Sequence, residues 1–133
     1  MIRIPTKGLF PRLAGLAALG TCLGACGASS SAISSLPSYE TTLAEHLNQT
    51  NSIMYGAYWC PHCSDQKAMF KEAASQITYV ECAPDGLNSQ SQLCQDRGIK
   101  GYPTWEIGGQ FYPGVKSLEE LSQLSNYQSP PSP

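Results

Sequence analysis

Cys60 and Cys63 are the residues of this sequence best placed to do chemistry, with Pro61 and His62 between them. They end an apolar, aromatic segment and open a segment of helical composition. Residues three positions apart on a helix share a face, with Cβ atoms about 5 to 6 Å apart, so the two sulfurs can form and break a disulfide. At a helix start, unpaired N–H groups and the helix dipole stabilise a thiolate. We therefore predict that Cys60 attacks, that Cys63 resolves the mixed disulfide, and that His62 adds a donor or a positive charge.

Three other uses of this tetrapeptide are possible. A structural disulfide that closes so small a loop removes little entropy from the unfolded chain. A zinc site needs two further ligands, and His46 with Cys82 or Cys94 is an irregular set without a second paired spacing. Copper binding by the tetrapeptide itself is harder to dismiss, so a copper-binding lipoprotein without enzyme activity is an alternative hypothesis to redox chemistry.

Length and composition limit the function classes. The chain has 133 residues, which favours one domain, and its hydrophobic fraction of 41% is sufficient to build a core. Eight basic residues nearly balance ten acidic ones, for a net charge of -2. This balance is not typical of a disordered chain, and it gives no electrostatic surface for nucleic acid. We expect a monomer without a cofactor.

The first 25 residues are typical of an export signal, because three basic residues precede an uncharged stretch rich in Leu, Ala and Gly. Residues 23–26 (LGAC) resemble a bacterial lipobox, which predicts cleavage before Cys26 and lipidation of that cysteine. The alternative is an ordinary cleavage site with Cys26 as a passive small residue. Export would place the protein on the periplasmic or lumenal face of a membrane, where disulfides persist.

The exported chain divides into a tether, a domain and a tail. Residues 26–38 are rich in Ser, Ala and Gly and predict a flexible tether, residues 39–127 the folded domain, and residues 128–133 a disordered tail. The predicted elements are a helix over 41–49, a strand over 52–59, a helix from 61, a strand over 77–82, a helix over 89–97, strands over 104–107 and 110–112, and a helix from 117. Helices between the strands favour a mostly parallel sheet with one antiparallel hairpin.

Local signals mark the boundaries of several elements. Ser38 or Thr41 can cap the first helix, Gly98 closes the third, and Ser117 with Glu120 forms a capping box. The dipeptide at 108–109 (GG) is a two-residue hairpin turn. The sequence also predicts which side chains of two elements are buried. The strand over 52–59 should be buried on both faces, and the helix after residue 61 should turn its apolar positions 68, 69, 73 and 74 to the core.

Two motifs together resemble the thioredoxin superfamily. Residues 58–63 (YWCPHC) are similar to the active-site strand and helix start of that superfamily, and residues 98–104 (GIKGYPT) to its second signature. The resemblance covers roughly residues 39–127. It implies that Pro103 follows a cis peptide bond and lies against the Cys60–Cys63 pair, where it shapes the substrate groove.

The sequence departs from the superfamily at two points. Thioredoxins carry a buried aspartate six residues before the first active cysteine, and Met54 stands there in this chain. Proton transfer to Cys63 must then use another group, for which Glu81 is a candidate; the alternative is that Glu81 is a solvated carboxylate at a strand end. The first strand of a full thioredoxin is also missing, which predicts a reduced α/β fold with a four-stranded mixed sheet flanked by helices.

More narrowly, the chain is similar to the thioredoxin-like domain associated with bacterial and plant vitamin K epoxide reductase homologues. The matching features are the short fold, the extra cysteines Cys82 and Cys94, residues 101–105 (GYPTW) and residues 114–121 (GVKSLEEL). The resemblance implies a membrane oxidase of that family as partner. We expect Cys82 and Cys94 to form a structural disulfide, whose loop of about 13 residues is worth roughly 3 kcal/mol. A second redox pair that relays electrons is the alternative.

The expected activity is thiol-disulfide exchange with protein thiols. The dipeptide at 61–62 (PH) resembles that of strongly oxidising periplasmic members of the superfamily. A stabilised Cys60 thiolate favours the reduced form, which makes the disulfide the better electron acceptor. The sequence therefore predicts an oxidant, with a reducing protein, for instance one serving cytochrome maturation, as the alternative.

Overall fold

The computed structural model describes residues 36–129. The predicted export signal and Cys26, the predicted lipidation site, lie outside the described residues. Within them the elements follow in the order α1 (Tyr39–Gln49), β1 (Ile53–Gly56), α2 (Pro61–Met69), a 3-10 helix (Lys71–Gln76), β2 (Tyr79–Glu81), α3 (Ser91–Asp96), β3 (Thr104–Ile107), β4 (Gln110–Pro113) and α4 (Leu118–Leu124). No helix in this part of the chain has both the length and the apolar character needed to cross a bilayer.

The local signals lie where the sequence places them. The Ser38 hydroxyl accepts the N–H of Thr41 at 3.2 Å and caps α1. Ser117 and Glu120 bond reciprocally to each other's backbone N–H groups, which is the predicted capping box of α4. Glycines 98, 108 and 109 all adopt positive φ, the first after α3 and the other two in the hairpin turn. These boundaries are confirmed.

The four strands form one mixed sheet in the order β2-β1-β3-β4 with helices on both faces, as predicted. Side chains alternate across β1. Met54 lies in the core that β1 and β3 share with α1, α2 and α4, and Tyr55 lies on the opposite face with Val80 and α3. The sheet thus holds α2, with both active-site thiols, against one face.

The expectation of a mostly parallel sheet is wrong. Only β1 and β2 are parallel, whereas β3 is antiparallel to both β1 and β4. A third parallel strand would require the chain to cross back to the other end of the sheet. Instead α3 has six residues, and Cys94 within it is bonded to Cys82 just after β2. The chain therefore stays at the carboxyl end of β1, and β3 begins there.

The strand predicted over 52–59 ends earlier, at Gly56. The N–H of Cys60 donates to the carbonyl of Ala57 at 3.0 Å, so residues 57–60 form a turn. Tyr58 and Trp59 consequently project into solvent, about 60% exposed. Their aromatic character suggested a buried strand, but the two side chains lie on the surface beside Cys60.

The predicted core face after residue 61 is wrong for Ala68 and Met69, whereas Ala73 and Ala74, in the 3-10 helix, do pack in or against the core. Ala68 is exposed and Met69 is 36% exposed, while the buried side chains of α2 and its C-cap residue are those of Cys63, Gln66 and Phe70. The three buried positions are three or four residues apart and so lie on one face, which makes the helix amphipathic as expected. Gln66 is the polar member of the buried face, which is why an apolar pattern does not identify that face.

Candidate active site

Cys60 is the N-cap residue of α2, at the carboxyl end of β1. Its sulfur accepts the N–H of Cys63 at 3.4 Å, and α2 has no acidic residue in its first turn. The sulfur therefore lies at the positive end of a helix with one N–H directed at it, an arrangement that stabilises a thiolate. Both cysteines are free thiols here. Cys60 is 6% exposed and lies at the surface turn that presents Trp59.

Cys63 lies one turn inside α2 and is 2% exposed. Burial, then the hydrogen bond with Cys60, raise the pKa of the Cys63 thiol to about 12. Its sulfur packs over Gly56, where an added Cβ would come within 2.8 Å of it. The site thus pairs a sulfur at the helix start with a second, more deeply buried sulfur whose pKa is raised, which suits a nucleophile followed by a resolving thiol.

The His62 side chain is exposed to solvent and lies beside Asp65. It is 70% exposed, and its Nδ1 lies 3.6 Å from Oδ2 of Asp65, which is itself exposed. The carboxylate partly offsets the positive charge that a protonated His62 would bring to the helix start. Sequence reasoning missed this pairing, for which the available signal was the i+3 spacing of Asp65, which brings side chains together on a helix.

Pro103 lies where the resemblance implied. The Tyr102-Pro103 peptide bond is cis, and the thiol of Cys60 donates to the carbonyl of Tyr102 at 3.7 Å. The register of β1 with β3 places Tyr55 opposite Thr104, so the end of one strand and the start of the other meet at the same edge. The ring of Trp59 stands edge-on to that of Tyr102, 6.1 Å apart. Residues from two distant motifs thus border one sulfur.

Cys82 and Cys94 are joined by a disulfide, with Cα atoms 5.7 Å apart. Both are almost fully buried, at 4% and 3% exposed. The pair ties the end of β2 to α3, on the side of the sheet that also holds Tyr55 and Val80. Its structural role stays a prediction; it is favoured over a relay because neither cysteine lies at a helix start, the position that makes Cys60 reactive.

Graded reduction distinguishes a structural Cys82–Cys94 disulfide from a relay. We expect the Cys60–Cys63 disulfide of the oxidised protein to open first as dithiothreitol is raised, because the helix start at Cys60 favours the reduced form of that pair. Alkylation of the released thiols and peptide mass spectrometry measure the order. Opening of Cys82–Cys94 before Cys60–Cys63 would replace the structural role with a relay.

Two buried polar residues complete the surroundings of the thiols. Glu81 is 7% exposed, so its interpretation as a solvated strand-end carboxylate is wrong. Gln66 is fully buried and bonds to the indole of Trp105 and to both backbone groups of Lys116. Sequence reasoning missed Gln66. The only available signal was its position three residues after Cys63 on the same helix face.

The residues weighed as zinc ligands do not converge. Nε2 of His46 lies 2.9 Å from the carbonyl of Ser125, near the end of α4, and the sulfurs of Cys82 and Cys94 are bonded to each other. Among residues 36–129, no group of three or more His, Cys, Asp or Glu side chains is arranged to hold a metal ion.

Comparison with known proteins places this geometry in a family. Residues 32–125 match the sequence profile of the thioredoxin family. The chain is 43% identical over 98 residues to the thiol-disulfide oxidoreductase LTO1 of Arabidopsis thaliana, covering 71% of this chain and 26% of that protein. It is 28% identical over 130 residues to the protein disulfide-isomerase-like protein EhSep2 of Emiliania huxleyi, covering 87% of this chain and 56% of that protein.

The oxidised glutaredoxin 2 of Chlamydomonas reinhardtii is a similar solved structure, with a TM-score of 0.40 and 21% identity over 67% of this chain and 98% of that one.

Of the two relatives named above, this chain spans about a quarter of the length of LTO1 and over half of the length of EhSep2. The profile match extends over most of the chain and includes the Cys60–Cys63 pair and Pro103. The chain belongs to the thioredoxin family.

Proposed function

We propose that this protein exchanges disulfides with the thiols of substrate proteins, with Cys60 as the nucleophile and Cys63 as the resolving thiol. The observation that carries the proposal is the position of the Cys60 sulfur. It lies at a helix start, accepts the N–H of Cys63, and adjoins the carbonyl before Pro103 at the sheet edge. The names of LTO1 and EhSep2, a thiol-disulfide oxidoreductase and a protein disulfide-isomerase-like protein, support this chemistry.

The favoured direction is oxidation of substrate dithiols. The helix start stabilises the Cys60 thiolate, and no acidic side chain in the first turn of α2 opposes it. Stabilising the thiolate stabilises the reduced protein, so its disulfide is the stronger electron acceptor. Substrate thiolate attacks the Cys60 sulfur, Cys63 leaves, and a second substrate thiolate then displaces Cys60, so the substrate loses two electrons and the protein gains them.

Equilibration with glutathione buffers tests this direction. We expect a reduction potential well above that of thioredoxin, which is about -270 mV. A value near or below -270 mV would reverse the assignment and make the protein a reductant. Replacing His62 with Pro should lower the potential, because it removes from the helix start a side chain that can donate a hydrogen bond or carry a positive charge. An unchanged potential in His62→Pro would remove His62 from the mechanism.

The proposal extends to location and partner. A lipid on Cys26 would hold the domain at the periplasmic or lumenal face of a membrane, where a membrane oxidase related to vitamin K epoxide reductase would reoxidise it. Support comes from the lipobox-like residues 23–26 and from the resemblance of residues 101–105 and 114–121 to domains associated with that oxidase. Metabolic lipid labelling should mark the wild type and not Cys26→Ser; equal labelling, or none in either, would overturn the anchor.

A further inference from the structure

Glu81 is a buried carboxylate whose hydrogen bonds all come from neutral donors. Oε1 accepts the N–H groups of Tyr58 at 3.2 Å and Ala83 at 2.9 Å, and Oε2 accepts the hydroxyl of Tyr79 at 3.1 Å. The backbone of Gly86 covers it so closely that a Cβ there would lie 2.5 Å from the Glu81 Cγ. A carboxylate is costly to bury without a cation, so this one calls for an explanation beyond packing.

Tyr79 is hydrogen-bonded to Glu81 and lies near the resolving thiol. The Tyr79 hydroxyl and the Cys63 sulfur border the same small space over Gly56, because a Cβ added there would lie 3.1 Å from the first and 2.8 Å from the second. Burial, then the hydrogen bond to Glu81, raise the pKa of Tyr79. Tyr79 therefore stays a neutral phenol that can accept one proton while it donates its own.

Cys63 needs a group that accepts its proton when the reduced protein is reoxidised. Once Cys60 is in a mixed disulfide, Cys63 must lose its proton before it can attack the Cys60 sulfur. Burial holds the pKa of Cys63 at about 12, so few molecules carry that thiolate at neutral pH. Met54, at the position of the acid in thioredoxins, is fully buried and has no group that accepts a proton.

We propose that Tyr79 and Glu81 carry the proton of Cys63, an inference that rests on the proposed thiol-disulfide exchange. As Cys63 attacks, its proton passes to the Tyr79 oxygen, and the Tyr79 proton passes to Oε2 of Glu81. The sulfur–sulfur bond between Cys60 and its partner breaks, the Cys60–Cys63 bond forms, and the partner leaves as a thiolate. When a substrate later reduces the disulfide, Cys63 leaves as a thiolate and recovers the proton by the reverse route. Hydrogen bonds used in catalysis are commonly long in the resting site and shorten in the reacting complex.

Other charged and titratable groups face this route from the neighbouring elements. The Nζ of Lys67, on α2, lies 3.3 Å from the ring centroid of Tyr79. The hydroxyl of Tyr58 donates to Asp85, in the loop after β2, at 3.0 Å. Among these groups, Glu81 is the buried carboxylate hydrogen-bonded to the Tyr79 hydroxyl. It is the terminal proton acceptor in this proposal.

Resolution of a glutathione mixed disulfide tests the route. The reduced protein is mixed with excess oxidised glutathione, quenched with acid over time, and analysed by mass spectrometry, which separates formation of the mixed disulfide from its resolution. We expect Glu81→Gln to slow resolution by about tenfold or more and to leave formation unchanged. The wild-type resolution rate should depend only weakly on pH, whereas the Glu81→Gln rate should rise about tenfold per pH unit, because solvent must then deprotonate Cys63.

Two further variants separate proton transfer from folding. Tyr79→Phe keeps the ring under Lys67 and removes the hydroxyl, so it should slow resolution as Glu81→Gln does. Glu119→Gln removes an exposed carboxylate of α4 and should match the wild type. Resolution at the wild-type rate with the wild-type pH profile in Tyr79→Phe would overturn the route, even if Glu81→Gln does not fold. Failure of the wild-type Cys60 to form any mixed disulfide would instead overturn the proposed function.

Discussion

A Cys63→Ala variant is expected to remain trapped in mixed disulfides with its substrates, whereas a Cys60→Ala variant is expected to form none. Cys60 lies beside the surface turn that presents Trp59, so without Cys63 its thiolate can still attack a disulfide of a substrate or of the reoxidising partner. One sulfur of that disulfide then stays bonded to Cys60 and the other leaves as a thiolate. Cys63 is 2% exposed and cannot replace it as the nucleophile. Catalysed oxidation of a reduced substrate should fall by about 10³-fold or more in both variants, as is usual when a nucleophile or its obligatory second group is removed.

Non-reducing electrophoresis with mass spectrometry of the captured partners measures this effect in cells. Ser64→Ala is the matched control, because Ser64 is an exposed neighbour on α2 whose loss should leave turnover unchanged. Mixed disulfides at Cys63 in the Cys60→Ala variant would exchange the two roles. A membrane oxidase among the partners captured by Cys63→Ala would support the proposed reoxidation step, and capture of soluble substrates alone would count against it.

Replacing Gln66 with Ala should cause a large loss of stability without altering either thiol. Its Oε1 accepts the indole N–H of Trp105 at 3.1 Å and the backbone N–H of Lys116 at 2.7 Å, and its Nε2 donates to the carbonyl of Lys116 at 3.0 Å. A buried donor without a partner costs about 1 to 3 kcal/mol. Two such donors, with the cavity left by the side chain, should lower the free energy of unfolding by roughly 4 kcal/mol.

Urea unfolding of the reduced protein measures this loss as a lower midpoint. Gln66→Leu keeps most of the volume and still leaves the donors unpaired, so it should also destabilise and thereby separates lost hydrogen bonds from lost packing. Gln92→Ala is the matched control, because Gln92 is an exposed residue of α3 that bonds only to Asp96, and its removal should change the free energy by about 0.5 kcal/mol or less. A Gln66→Leu midpoint equal to that of the wild type would show that these hydrogen bonds do not support the fold.

The sequence by itself determined the features that depend on a few neighbouring residues. The cap at Ser38, the capping box of α4, the turn at 108–109 and the helix start at Cys60 all follow from contacts within four positions along the chain. Short-range hydrogen bonds and backbone preferences suffice for these features, so residue type and spacing identify them. The resemblance added Pro103, whose position beside Cys60 no local pattern indicates.

The tertiary structure decided what depends on distant residues. The direction of β3 is set by its antiparallel pairing with β1, a distant segment of the chain, and the end of β1 at Gly56 follows from the turn that closes before Cys60. The polar residues beside the thiols were also beyond the sequence. Gln66 and Glu81 are polar by type, and their burial is stable only because donors from three other segments reach them. The spacing of residues within one segment cannot indicate such partners, since only the tertiary fold brings them together.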